Sequence, residues 1–310
     1  MARLGEGLNL TGSFDLSGTT ENTSSPGYLW FDGSSFKYSA YGSGTWSTGG
    51  SLITGRHSLG GAGTQDAGLA FGGYNGGFKS CTEEYDGSSW TAGGALISAK
   101  RNLAGAGTQN AGLSIGGGPS AATTCTEEYD GSSWTAGGAL IVARRWHAGA
   151  GTQNAGLTMG GNSGAIIACT EEYDGSSWAA GGALITSRQM TAGAGTQDAG
   201  LVFAGNPTTS ATEEYNGTSW SAGGSLSRAR YGLGGAGTQN AGLAIGGYQG
   251  SQCTEEYDGS SWAAGGAFSG ARFDLAAAGT QNKGLAFGGY CPSSFSFTEE
   301  YNVGIVACTL

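Results

Sequence analysis

Paired carboxylates are the first feature of this chain that could do acid–base chemistry. They occur six times, at Glu83–Glu84, Glu127–Glu128, Glu171–Glu172, Glu213–Glu214, Glu255–Glu256 and Glu299–Glu300. Two carboxylates converging on one bond serve as acid and base, or as acid and nucleophile. Here each pair is consecutive within a Thr-Glu-Glu-Tyr tetrapeptide, and neighbours on an extended strand point to opposite faces. The two groups of one pair therefore do not converge. A basic residue recurs in step with them, seven residues before a Gly-Thr-Gln triplet: Arg56, Lys100, Arg144, Arg188, Arg230 and Arg272. A buried carboxylate without a counter-charge is costly, so the pattern predicts a repeated Arg/Lys–Glu ion pair within or between structural units. Catalysis needs one distinctive constellation rather than six equal ones. No catalytic residue is singled out, and the expectation is a chain that is not an enzyme.

Other reactive groups give less. Four of the six cysteines, Cys81, Cys125, Cys169 and Cys253, stand at the same point of successive repeats. Equivalent positions on different units lie too far apart for the ~5.5 Å Cα spacing of a disulfide, so these read as small buried hydrophobes. Whether Cys291 and Cys308 pair is left open. The two histidines, His57 and His147, form no cluster of zinc-site spacing with cysteine. The glycine-rich stretches lack the Gly-Lys-Ser/Thr of a phosphate loop. Neither a metal nor a cofactor is expected.

The elements that position these groups follow from internal repetition. Gly-Thr-Gln begins at Gly63, Gly107, Gly151, Gly195, Gly237 and Gly279; Thr-Glu-Glu-Tyr ends at Tyr85, Tyr129, Tyr173, Tyr215, Tyr257 and Tyr301; a Trp stands in phase at 46, 90, 134, 178, 220 and 262. Each unit reads as four short strands: a, a small-residue run into Gly-Thr-Gln; b, of the Gly-Leu-Ala-Phe type, ending in a glycine pair; c, Cys81 to Tyr85 in the first unit; and d, starting at the Trp. Asp86–Gly87 supplies the c–d hairpin turn, because both residues tolerate positive φ. Four strands in a repeat of 40–50 residues mark a propeller blade. Small residues in strand a suit the crowded axis of such a ring.

A glycine pair, a Tyr twelve residues on and a Trp five further (Gly73, Tyr85, Trp90) resemble the kelch motif, over residues 43–310 and in six copies. The units are shorter than usual kelch repeats, and strand c carries two Glu where kelch strands are more apolar. The resemblance implies an all-β, six-bladed kelch-type β-propeller. The Tyr/His/Cys copper site of kelch-type oxidases is not assembled by this sequence. The last unit stops after Tyr301 without a turn glycine or Trp, while Trp46 has no strands a to c before it. The strand at Trp46 should therefore complete the last blade and leave no open edge.

Six copies also show where variation is tolerated. Length differences and most sequence differences lie between strands b and c, with a second variable patch at the d–a junction. In a four-stranded blade these two connections leave on the same side, so one face is constant and one diversified. Loops on a rigid scaffold carry binding residues, and aromatics and Arg dominate contact energies. The predicted ligand-binding residues are Arg145, Trp146, His147, Tyr231, Phe273, Tyr74 and Tyr248.

Composition bounds the rest. Of 310 residues 64 are Gly, against a usual ~7%, and net charge is −10. Nucleic acid, which needs a basic face, is not an expected partner. No apolar run reaches membrane-spanning length, so no membrane insertion is expected. Gly27-Tyr28-Leu29-Trp30-Phe31-Asp32 with Lys37-Tyr38 resembles a short β-hairpin motif of tail-fibre proteins of tailed bacteriophages, and the Glu-Glu-Tyr-Asp-Gly-Ser-Ser-Trp units resemble virion proteins of marine phages. That resemblance implies a virion protein, a fibre or surface appendage assembled in the host cytoplasm without a signal peptide. Its partners would be other virion proteins and a host-surface glycan or receptor. Residues 1–42 would form an attachment or oligomerisation segment and 43–310 the propeller. A purely structural decoration protein without a receptor is the alternative, and a glycan-active enzyme a further one.

Overall fold

The computed structural model describes residues 26, 29–31, 34–248 and 252–309, and these contain strands and no helix. The chain divides into two compact units, Gly44–Asn302 and a second made of Met1–Ser43 with Val303–Leu310.

The larger unit is a six-bladed propeller of four-stranded antiparallel sheets. The first blade shows how the repeat folds. Its strands are Gly60–Gly63, Gly68–Phe71, Thr82–Tyr85 and Trp90–Gly93, in register through Gly63↔Gly68, Leu69↔Glu84 and Tyr85↔Trp90. The c–d turn forms because Asp86 Oδ1 accepts from the Ser88 and Ser89 amides at 2.9 and 2.7 Å. The Ser88 hydroxyl, which donates to the same oxygen at 2.7 Å, and those amides hold the exposed carboxyl down at about 2. Strand b is buried along its whole length, as a strand covered on both faces must be. Strand a lies innermost. A Cβ on Gly105 would fall 2.3 Å from the Gly61 carbonyl oxygen of the preceding blade, so close backbone approach at the axis demands glycine there.

In the sixth blade, strands Ala276–Gly279 and Lys283–Phe287 are followed by the first residues of Thr298–Thr309 and the last residues of Phe36–Thr48. The Gly49 amide donates to Thr298 O at 2.9 Å. Trp46 Nε1 donates to Thr254 Oγ1 at 2.9 Å, the bond each other blade Trp makes to the Thr that opens strand c of the blade before it. The N-terminal strand thus closes the ring, as the unpaired Trp predicts.

The glutamate pairs split their duties. The first Glu of each pair meets the recurrent basic residue: Arg56–Glu83, Arg144–Glu171 and Arg188–Glu213 are in direct contact, with Lys100–Glu127 at 2.8 Å and Arg230–Glu255 and Arg272–Glu299 at 2.6 Å. All twelve side chains are buried. The second Glu accepts from the Tyr hydroxyl of the next blade, as Glu84 does from Tyr129 and Glu300 from Tyr85. Burial and the carboxylate push the Tyr129 and Tyr85 hydroxyls up to about 12. A Gln side chain from each Gly-Thr-Gln donates to two carbonyls of the preceding blade, Gln109 to Gly68 O and Tyr85 O.

The cysteine expectation is corrected. Cys125 and Cys169 are exposed and Cys81 and Cys253 half-buried. The strand starts one residue later than the sequence suggests, at Thr82, and the cysteine contributes its carbonyl, which accepts from the Gly72 amide at 3.1 Å in the first blade. All six thiols, Cys291 and Cys308 included, are free.

In the smaller unit, Leu29–Phe31 pairs antiparallel with the start of Phe36–Thr48 through Leu29↔Tyr38, Trp30↔Lys37 and Phe31↔Phe36, and Lys37 Nζ donates to Thr309 Oγ1 at 2.6 Å. Residues 1–25, 27–28 and 32–33 of the expected attachment segment lie outside the described residues.

Candidate functional site

The d–a junction and the b–c connection of each blade meet in space. His57 bridges Tyr74, Arg101 bridges Gly118, Arg145 bridges Asn162, Gln189 bridges Asn206, Tyr231 bridges Tyr248 and Phe273 bridges Tyr290. The two variable patches of the sequence are therefore one rim. On the other side the two turns of a blade adjoin, Gly87 lying beside Asp66 and Gly131 beside Asn110.

Inside the rim the chain makes a closed ring. One residue per blade, Ser58, Asn102, Trp146, Met190, Gly232 and Asp274, adopts positive φ between 51 and 66°. Each donates its amide to the carbonyl of the equivalent residue in the preceding blade, from Asn102 to Ser58 at 2.9 Å round to Ser58 on Asp274 at 2.8 Å. Left-handed backbone costs a non-glycine residue about 1–2 kcal/mol and collects at functional sites. Five non-glycine residues in this state show that the cyclic bonding over-determines the conformation. The ring frames the mouth of the axial channel, a cavity of about 100 Å³ lined by these six residues and their successors Leu59, Leu103, His147, Thr191, Leu233 and Leu275.

The side chains at the mouth are unequal. Ser58 Oγ donates to Asp274 Oδ2 at 3.2 Å and lies 2.9 Å from His57 Nδ1. A hydroxyl has one hydrogen, so with Asp274 ionised His57 Nδ1–H donates to Ser58. Burial pushes the Asp274 carboxyl up to about 6, opposed by the Ser58 bond and the Arg101 charge. Burial, then Arg101, lowers the His57 pKa. A Cβ on Gly232 would lie 2.8 Å from Asp274 Oδ1, so the one glycine of the ring leaves room for the carboxylate.

Around half of the rim the aromatic rings form a continuous arc. Tyr231 stacks on Tyr248 at 4.9 Å; Tyr248 meets Phe273 at 5.4 Å; Phe273 meets Tyr290 at 5.6 Å; Tyr290 meets His57 at 5.0 Å; His57 meets Tyr74 at 5.6 Å; Tyr74 meets Phe78 at 5.5 Å. The Arg101 guanidinium lies over Tyr74 at 4.7 Å. Beyond it, Arg145 lies over Trp146 at 4.1 Å.

Of the residues expected to bind, Tyr74, Tyr231, Tyr248 and Phe273 come together in the arc, and Arg145 and Trp146 sit as a stacked pair beside the mouth. His147 differs. It is 5% exposed, its Nε2 lies 3.1 Å from Ile115 O, and burial with the Arg144 charge drives its pKa down to about 3. It is a neutral wall of the channel rather than an exposed donor. The sequence reading passed over His57, Ser58, Phe78, Arg101, Asp274 and Tyr290. Their signal was positional: His57, Arg101 and Tyr290 occupy repeat positions matching Tyr231, Phe273 and Tyr74, while Ser58 and Asp274 share the register of Trp146.

No family model matches the chain, and no curated protein does. Among solved structures it is similar to "Structure of YjhT", with a TM-score of 0.67 over 84% of this chain and 99% of that one at 13% identity. The likeness is one of fold. It overturns the expectation that the chain is not an enzyme, because a propeller scaffold hosts catalytic as well as binding sites. The ground for that expectation, six equal constellations, also fails at the mouth, where one blade alone supplies a carboxylate.

Proposed function

We propose that this chain is a receptor-binding component of a phage virion, a fibre or surface appendage, whose variable rim binds a host-surface glycan. The observation that carries the binding reading is the seven-ring arc from Tyr231 to Phe78 beside the strained mouth. Aromatic faces stack on the apolar faces of sugars, and the arc presents them on a rigid frame with polar groups at hand. The virion setting rests on the resemblance of Gly27–Asp32 and of the Glu-Glu-Tyr-Asp-Gly-Ser-Ser-Trp units to phage proteins, with other virion proteins as partners of residues 1–42.

The test is binding of the purified chain to a panel of bacterial surface polysaccharides, with product analysis in the same wells. Saturable binding that disappears in the double variant Trp146→Ala/Tyr231→Ala, with its melting temperature kept, is expected. Absence of binding across the panel sinks the glycan reading in favour of a decoration protein without a receptor. Cleavage products assign turnover to the same rim.

A further inference from the structure

The variable face carries a single carboxylate among the described residues. The first glutamate of every pair is spent on Arg or Lys, the second on Tyr, and the remaining aspartates lie in the turns of the opposite face, Asp86, Asp130, Asp174 and Asp258 at c–d and Asp66 and Asp198 at a–b. Asp274 is half-buried and makes no ion pair among the described residues. One oxygen takes the Ser58 hydroxyl, and the other stands in the space above Gly232.

Arg101 acts on Asp274 through its charge but does not pair with it. Arg101 and Arg145 are laid flat on Tyr74 and Trp146, and both histidines have lowered pKa values. A partly desolvated carboxylate without an ion-pair partner in contact is a site of unmet electrostatic demand, and the π faces around it favour positive charge as well. The cavity at the mouth, about 100 Å³, has room for a small substituent.

From this geometry we infer that the mouth receives a cationic substituent, the primary ammonium of an amino sugar, paired with Asp274 while the sugar lies on the aromatic arc. The inference rests on the glycan-binding reading and narrows it. Acidic glycans are excluded from the mouth by the same carboxylate.

Calorimetric titration at neutral pH with a glucosamine hexamer, its fully N-acetylated counterpart and tetralysine tests it on the 310-residue chain. A charge-assisted hydrogen bond is worth enough that the glucosamine hexamer should bind at least about tenfold tighter than the acetylated one. Asp274→Asn, which keeps a residue tolerant of left-handed backbone, should bring that ratio to about one. Tyr231→Ala/Tyr248→Ala should weaken both hexamers. Equal binding of the hexamers, or a preference that survives in Asp274→Asn, overturns the ammonium inference alone and leaves glycan binding standing. Tetralysine binding with equal strength and equal dependence on Asp274 overturns the amino sugar in favour of a lysine-bearing partner. If neither hexamer binds and the polysaccharide panel is also negative, the glycan reading falls and takes the inference with it; a positive panel with neither hexamer bound overturns the inference only.

Discussion

Asp274 is held against its own ionisation. Its carboxyl stands at about 6 in the folded ring against 3.8 in an unstructured chain, so between these values the native state keeps a proton that the unfolded chain has lost. Stability therefore falls as pH rises from about 4 to about 6, and at neutral pH the ionised group costs the fold up to about 3 kcal/mol. Asp274→Asn removes the titration. The variant should be more stable than the parent at pH 7, by about that amount at most, and the gap should close at pH 4; urea midpoints at the two pH values measure it. A stability gain on losing a side chain marks a group kept for binding or chemistry rather than for folding. Such a group is hard to read in sequence. The recurrence of Glu with Arg or Lys announces the ion pairs six times, whereas Asp274 occurs once, and its meaning depends on Ser58 and Gly232 arriving from other blades. His147 is hard to place for the same reason: its chain position is variable, but its side chain turns into the channel wall.

Within a blade, the basic residue before strand a and the first Glu of strand c join two elements about 27 residues apart, Arg144 to Glu171 in the third blade. Glu171 also accepts from the Ile141 and Val142 amides at 2.7 and 3.1 Å, and Arg144 donates to Gly160 O and Cys169 O at 3.2 and 2.8 Å. The pair thus ties the d–a junction to the b–c connection and sets the height of the rim. Arg144→Met leaves a buried carboxylate without its cation and should cost roughly 3–5 kcal/mol, while Arg144→Met/Glu171→Leu, which removes both charges, should recover a large part of it. Denaturant unfolding of the two variants checks the order; a double variant as unstable as the single one would mean that the junction amides, not the charges, dominate. This framework was legible because periodicity reports every element that must be the same in each blade. Strand ends were less so: the cysteines stand where the ladder has not yet begun, and only their carbonyls are drawn into it.

At the scale of the molecule, the count of blades follows from the repeat, and the closure follows from what the two ends lack. The unequal half-rim does not, because an arc of seven rings exists only once the ring brings the fifth, sixth and first blades side by side. Closure itself is carried by a short stretch. Trp46 packs on Phe268 and Tyr301, each at 4.9 Å, and bonds Thr254, so residues 44–48 seal the sixth blade. Without them residues 298–302 would present a bare strand edge, which pairs readily with other chains. A chain trimmed to 44–302 retains every strand of the ring and should melt cooperatively as a monomer. A chain trimmed to 49–302 is only five residues shorter, yet it should lose cooperative melting and elute from a sizing column as larger, polydisperse species. If the two behave alike, the ring holds through its inner strands and the N-terminal strand is an ornament rather than a clasp.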